Sequence, residues 1–346
     1  MSDHIPMRVA VVGATGFQGG AAARLLVERG HRVRTLSRRP EGDRPDLPGV
    51  SFGGGDLGRF EDVRQLFEGA THAAVGMPLV YQAEKVLRYA QNIARAARES
   101  GVRRLVYNAN TRVPSRTTNV AGFETRRLAE TVFREGLAQS GVELVVIRPP
   151  VYLDNLFSPW NGPALMTEGV LAYPLPADAE IAWLSHRDLA EAVFAALTVD
   201  GIAGRCFDIG GPVGLTGESL AAAFGRGLGR DVRYVALEPT VFEQGLSHLL
   251  GPEAAAGISG IYHYMATGME PGLLAADAGV SSTALSVKPA RAEDWVARQP
   301  WHTWTETGPE TGPEPGPEPA AAAASATTST TSTTSTSTET ESSHDV

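Results

Sequence analysis

The sequence predicts an α/β protein: a doubly wound parallel sheet, a smaller C-terminal α+β part and a disordered tail. Three observations carry this. Short apolar runs alternate with amphipathic helical stretches over residues 7–148. A glycine-rich turn in VAVVGATGFQGG joins the first run to the first helical stretch. The alternation stops at Pro149-Pro150, and the composition changes again near Thr305.

Residues 7–13 read as the first strand and 16–29 as a helix with Ala22, Leu25 and Leu26 on one side. Strands follow at 32–36 and 50–52, the second ending in GGGDL; a helix at 60–67; a strand at 71–75. The helix at 82–99 carries Val86, Ile93 and Ala97 on its apolar stripe. A strand at 104–108, a helix at 123–139 and a strand at 144–148 complete the run. Such βαβ units cross over right-handedly and place ligands at the carboxyl ends of the strands. Residues 151–176 look irregular, rich in aromatics and prolines. Ser185 is then a plausible N-cap, with Asp188 three residues on, for a helix at 189–197. A strand at 205–209, a helix at 217–227, a strand at 232–237 and helical residues 239–268, broken at Gly251-Pro252, follow.

The chain of 346 residues, 42% hydrophobic, can bury a large core in one large or two smaller domains. The expected division is a nucleotide-binding domain at 1–150, a small substrate or lid domain at 151–304 interleaved with the sheet, and a tail at 305–346. The tail, a proline repeat followed by alanines and a Ser/Thr-rich run, has too little burial potential to order, and reads as a solvated arm or a tether for a protein partner. Its seven acidic residues, unmatched by Lys or Arg, leave −2 of the net charge of −9 for the rest of the chain. No basic face suits nucleic acid. One cysteine, Cys206, rules out an internal disulfide and reads as a small buried hydrophobe. No His/Cys cluster has metal spacing, and no apolar stretch approaches the ~20 residues of a membrane helix. The expectation is a cytoplasmic protein that binds neither membrane nor nucleic acid.

The glycine turn has the spacing Gly13-x-x-Gly16-x-x-Gly19 between strand and helix. Gly13 permits the turn, Gly16 lets a pyrophosphate approach the backbone, and Gly19 lets helix and strand pack closely, while the helix N-terminus offers free N–H groups to phosphate. Thr15, Phe17 and Gln18 belong to the same Rossmann-type loop. Where an NAD site carries an acid at the end of the second strand, this chain has Ser37, Arg38 and Arg39, which favours NADP(H). Asp56 and Leu57 are placed to meet the adenine, Gly76 and Met77 the ribose, and Pro149 ends the sixth strand beside the same cleft.

Together VVGATGFQGG, TLSRR, LVYNAN, FETRRLAE, IRPPVYLDNL and WLSHRDLAEAVFAAL resemble the NmrA-like branch of the atypical short-chain dehydrogenase/reductase superfamily. The resemblance covers roughly residues 7–240. It implies a Rossmann fold, NADP binding and a small C-terminal substrate domain. The branch holds NAD(P)H-dependent reductases, quinone reductases and redox-sensing regulators.

In the wider superfamily a tyrosine and a lysine four residues on, in the helix after the fifth strand, supply a proton. Here those positions are Phe123 and Arg127. The branch commonly lacks the tyrosine but keeps a cation, so Arg126 or Arg127 is expected to hold the ribose. Tyr81-Gln-Ala-Glu-Lys85 has the tyrosine–lysine spacing after the fourth strand, or is an ordinary helix start. Weak catalytic candidates are Tyr81, Asn110, as an amide donor, and Tyr152. Tyr152, Asn155, Trp160 and Trp183 are expected to face the substrate, or to be core. His186 reads as a structural histidine at a helix start. Two functions fit: an NADPH-dependent reductase of a small apolar or aromatic acceptor (quinone-, enone- or ketone-like), or a non-catalytic NADP(H)-sensing regulator.

Overall fold

The computed structural model describes residues 5–277 and 279–306. The first strands are β1 (Arg8–Val12), β2 (Arg32–Ser37), β3 (Val50–Gly54), β4 (His72–Gly76), β5 (Arg104–Asn108) and β6 (Glu143–Ile147). β7 (Val170–Tyr173) and β8 (Cys206–Phe207) follow. Among the described residues, seven strands form one parallel sheet in the order β3-β2-β1-β4-β5-β6-β8. The order reverses between β1 and β4, which opens a crevice at their carboxyl ends.

Val9–Val12 in β1 and every residue of β5 are buried, because helices cover both faces. Helix α1 (Phe17–Glu28) packs on one face, and α2 (Phe60–Phe67), α3 (Ala83–Glu99) and α4 (Ala121–Leu137) on the other. Past α5 (Gly162–Glu168), α6 (His186–Thr198) returns to lie beside α1. Its N-cap is Ser185, whose Oγ accepts from the Asp188 N–H at 3.0 Å, as the sequence predicts.

A third apolar core lies beside the sheet. It gathers α5, β7, α7 (Gly217–Leu228), β9 (Arg233–Ala236), α8 (Pro239–Leu250) and α9 (Pro252–Ala266). The stretch expected to be irregular contains β7, which pairs in parallel with β9 through Val170↔Arg233 to Tyr173↔Ala236. Only a partner more than sixty residues away makes that run a strand. The strand expected at 205–209 shrinks to β8 at the sheet edge. There Phe207 is buried and Cys206 is exposed, contrary to the expectation of a buried thiol, because neighbouring strand residues face opposite ways and the edge is open.

The last elements are α10 (Val280–Ala284), α11 (Ala292–Val296) and α12 (Thr303–Glu306). Trp301 and Trp304 pack against Phe157, with ring centroids 4.9 and 5.3 Å away. Residues 305 and 306 are therefore helical rather than the start of a tail; residues 307–346 lie outside the described residues. No described helix is long and apolar enough to cross a membrane.

Candidate functional site

The carboxyl ends of β1 and β4 converge on glycines. Gly13 has φ +87°, in the left-handed region, and a Cβ on it would stand 3.2 Å from the Gly76 carbonyl oxygen. A Cβ on Gly19 would fall 2.3 Å from the Gly13 oxygen, inside any real contact, so α1 can lie this close to the turn only with glycine there. A Cβ on Gly16 meets nothing nearer than 3.5 Å, so that glycine leaves open space above the turn. No side chain caps α1. Its first-turn N–H groups are left for an anion, reinforced by the helix dipole. Thr15 flanks the turn, and Phe17, 60% exposed, stacks on His186 at 6.2 Å.

Gln18 is the meeting point of three elements. Its Oε1 accepts from Asn108 Nδ2 at 2.8 Å, from the end of β5, and from the Tyr152 hydroxyl at 2.9 Å, beyond β6. The Tyr152 ring tilts against His186 at 4.7 Å. The backbone N–H of His186 donates to Asp154 at 2.8 Å, and its Nδ1 lies 3.4 Å from the same carboxylate. Burial lowers the His186 pKa more than Asp154 raises it, so the ring stays neutral near neutral pH. Asp154 thus braces the start of α6, and Tyr152 locks the glycine loop to the chain leaving β6.

Beyond β2, Ser37 is buried and its Oγ accepts from the Arg39 N–H at 3.1 Å. The Arg38 side chain is half exposed, with NH1 3.9 Å from Asp56 Oδ2. An exposed pair at that distance is weak, so the guanidinium can turn to an incoming phosphate. Asp56 Oδ1 accepts from Gly58 N at 2.6 Å, and the Leu57 carbonyl accepts from Asn92 Nδ2 at 2.8 Å, which ties this loop to α3.

Several candidates find partners that the sequence does not suggest. Asn110 sits at φ +63° and donates its amide to the Met77 carbonyl at 2.9 Å, bridging the ends of β5 and β4. That amide is engaged by main chain. Arg126 is 2% exposed and donates to the carbonyls of Pro78 (3.2 Å) and Val80 (3.4 Å), its guanidinium 5.2 Å from the Tyr81 ring centroid. Arg127 pairs with Glu124 at 3.1 Å and donates to Pro114 O (2.7 Å) and Arg116 O (2.9 Å). The two arginines therefore fasten the loops after β4 and β5, whereas direct grip on a ribose was expected of them.

Phe123 is fully buried in the third core, edge-on to Tyr264 at 5.3 Å. Asn155 donates to the Tyr173 hydroxyl at 2.9 Å, which shares a 2.6 Å bond with the Tyr262 hydroxyl; Trp183 stands edge-on to Tyr173 at 5.1 Å. Asn155 and Trp183 are thus part of the third core's packing. Trp160 is 46% exposed. Pro149 is buried at the end of β6, and Lys85 is exposed on α3. Among the described residues no group of three His, Cys, Asp or Glu side chains could hold a metal ion.

The NmrA-like family profile matches residues 6–296. The chain belongs to the NmrA-like family. Among curated proteins, this NmrA-like chain is 32% identical over 228 residues to the (4-alkanoyl-5-oxo-2,5-dihydrofuran-3-yl)methyl phosphate reductase of Streptomyces griseus, covering 65% of this chain and 76% of the relative. It is 28% identical over 249 residues to the NAD(P)H azoreductase of Xenophilus azovorans, covering 72% and 83%. Among solved structures, the negative transcriptional regulator NmrA in complex with NADP superposes with a TM-score of 0.65 at 19% identity, covering 86% of this chain and all of that one. That likeness shows the fold.

Sequence reasoning missed Arg112. It is 5% exposed and donates to main-chain carbonyls of Leu273, Ala275, Asp208 and Ile209, joining the segment after β5 to two distant loops. Nothing local marks it. The Trp301-x-x-Trp304 spacing, by contrast, was a readable signal of one more packed turn.

Proposed function

We propose that this NmrA-like protein binds NADP(H) across the β1/β4 crevice and reduces a small apolar or aromatic acceptor, quinone-, enone- or ketone-like. The observation that carries the reading is the glycine turn. A left-handed Gly13, a sterically obligatory Gly19 and an uncapped α1 form an anion cradle where the strand order reverses. The two reductase relatives support the reaction class.

In this reading Gly13, Thr15, Gly16, Phe17, Gln18 and Gly19 receive the pyrophosphate. Ser37, Arg38 and Arg39 receive the 2′-phosphate, Asp56 and Leu57 the adenine, and Gly76 and Met77 the ribose, with Pro149 beside the same cleft. Bound NADPH supplies hydride. Gln18 keeps the loop in place through Asn108 and Tyr152, and Arg126 shapes the turn at Pro78. Phe123 has no hydroxyl and the superfamily's usual acid is missing, so a protein-donated proton from α4 plays no part. The test is Arg38→Ala: NADPH affinity by fluorescence should fall while NADH affinity stays, and equal losses for both would reject Arg38 as the phosphate ligand.

A second reading, a non-catalytic NADP(H)-sensing regulator, is favoured by Phe123 and by the mutually satisfied Asn155, Tyr173 and Tyr262 cluster. Failure to oxidise NADPH with any member of a quinone, enone and azo panel, with cofactor binding intact, would select it.

A further inference from the structure

A hydrogen-bond chain leaves the end of β5, and the main chain fixes its polarity. The Asn110 N–H donates to Asn108 Oδ1 at 2.9 Å. A main-chain N–H can only donate, so the other end of the Asn108 amide must be its nitrogen. That nitrogen donates to Gln18 Oε1 at 2.8 Å, which turns the Gln18 oxygen toward β5. The Tyr152 hydroxyl donates to the same oxygen at 2.9 Å. Burial pushes the Tyr152 pKa up, so the phenol keeps its proton and stays a donor. Asn110 is itself held, with its side-chain amide on the Met77 carbonyl. Asn108 and Tyr152 are both buried, so neither bond is readily exchanged for water.

The Gln18 carboxamide is therefore locked in one orientation. Both lone pairs of Oε1 are engaged, and a reversed amide would set Nε2 against two donors. Nε2 is left over. Among the described residues it has no protein partner, and it is not one of the buried unpaired atoms, so it opens to solvent. Gln18 is the second residue of α1, whose first turn no side chain caps, and β4 lies between β1 and β5 in the sheet. The side chain thus spans from the glycine turn past the end of β4, on the β5 side of the point where strand order reverses; β2 and Arg38 lie on the other side. Tying the loop down needs only the oxygen, and a glutamate would accept the same two bonds. What glutamine adds is a pair of N–H donors held in one direction.

We infer that Gln18 Nε2 donates to the nicotinamide half of NADP(H), to an oxygen of its phosphate or of its carboxamide, and that Asn108 and Tyr152 are positioning residues that hold the donor in that direction. The inference rests on the cofactor reading above. Both oxygens are hydrogen-bond acceptors, so either rewards an N–H fixed in advance and is repelled by a second oxygen in its place. The adenine half, on the β2 side of the reversal, does not depend on Gln18.

The experiment titrates the full chain by calorimetry with three ligands: adenosine 2′,5′-bisphosphate, which is the adenine half; 2′-phospho-ADP-ribose, which adds the second phosphate but no nicotinamide; and NADP. Gln18→Glu keeps both bonds to the side-chain oxygen, so the ligand-free protein should melt like wild type, yet it should bind NADP at least about tenfold more weakly. The uncharged Gln18→Ala should lose about threefold to tenfold, and both variants should bind the bisphosphate within about threefold of wild type. A loss shared by 2′-phospho-ADP-ribose assigns the phosphate oxygen; a loss confined to NADP assigns the carboxamide. Asn108→Ala and Tyr152→Phe should each weaken NADP about threefold, and should add nothing in a Gln18→Ala background, because they act through Gln18. The side-chain N–H resonances of Gln18, identified by their loss in Gln18→Ala, should shift with NADP and stay in place with the bisphosphate. Gln18 variants that bind NADP as wild type does, or that lose all three ligands equally, would overturn the inference and leave the NADP site standing. Additive losses in the double variants would remove Asn108 and Tyr152 from their role. Wild-type protein that binds none of the three would overturn the cofactor reading, and this inference with it.

Discussion

Replacing each of two glycines in the turn by alanine should separate fold from binding. In Gly19→Ala the new Cβ would lie 2.3 Å from the Gly13 oxygen, 2.5 Å from its carbon and 2.9 Å from Ala14 N, all main-chain atoms. The helix cannot slide away cheaply, because Ala22, Ala23, Leu25 and Leu26 are buried in the core shared with α6. Overpacking of this kind costs about 1–3 kcal/mol, of which a better helix residue returns up to about 1. Because the clash falls on main-chain atoms, the upper part of that range applies, about 2–3 kcal/mol, and the net loss of about 1–2 kcal/mol corresponds to a fall of roughly 2–8 °C in melting temperature. In Gly16→Ala the new Cβ meets nothing nearer than 3.5 Å and the residue's φ is −99°, so the ligand-free protein should melt within about 1 °C of wild type. That methyl nevertheless occupies the space a pyrophosphate needs, so NADPH affinity should drop at least about tenfold. The assays are thermal melting of ligand-free protein and fluorescence titration with NADPH. A Gly19→Ala protein that melts like wild type would show that the helix accommodates the methyl; a Gly16→Ala protein with undiminished affinity would refute the phosphate path over this turn.

Three further expectations follow from the same geometry. Arg126→Ala removes two carbonyl contacts and the packing on Tyr81, and should cost about 2–3 kcal/mol in denaturant unfolding, against about 1 kcal/mol or less for the half-exposed Arg127→Ala; equal costs would contradict the assignment of Arg126 as the buried clamp. Phe123→Tyr places a hydroxyl among apolar side chains at a fully buried site, so it should lower stability by about 1–3 kcal/mol and create no alcohol dehydrogenase activity; ready turnover of simple alcohols would show the site to be an ordinary dehydrogenase one residue short. His72 is held to a pKa of about 4 by burial first and by Arg103 and Arg104 next. Its folded pKa lies below the unfolded value, so it stabilises above pH ~6.5 and that stability is lost as pH falls toward 4; the acid-induced drop in melting temperature over that window should be smaller in His72→Asn, and an equal drop would remove His72 from the account.

Whatever depends on short spans of backbone was legible along the chain. The Gly13-x-x-Gly16-x-x-Gly19 turn, the alternation of strands and helices, the Ser185 cap and the lack of a hydroxyl at Phe123 were all legible, because glycine dihedrals, helix periodicity and capping are settled within a few residues. The family membership lay in such local pieces too. Which distant group each polar side chain meets is set by the packing of the whole fold. Arg126 and Arg127 read as ribose anchors by position on their helix, yet carbonyls of Pro78, Val80, Pro114 and Arg116 take their donors. Asn110 turns its amide to Met77, and Gln18 collects Asn108 and Tyr152 from elements 90 and 134 residues away. β7 is a strand because β9 lies beside it. Buried hydrogen-bonding groups must be satisfied by whatever the fold brings within about 3 Å, and no spacing along the chain specifies that neighbour.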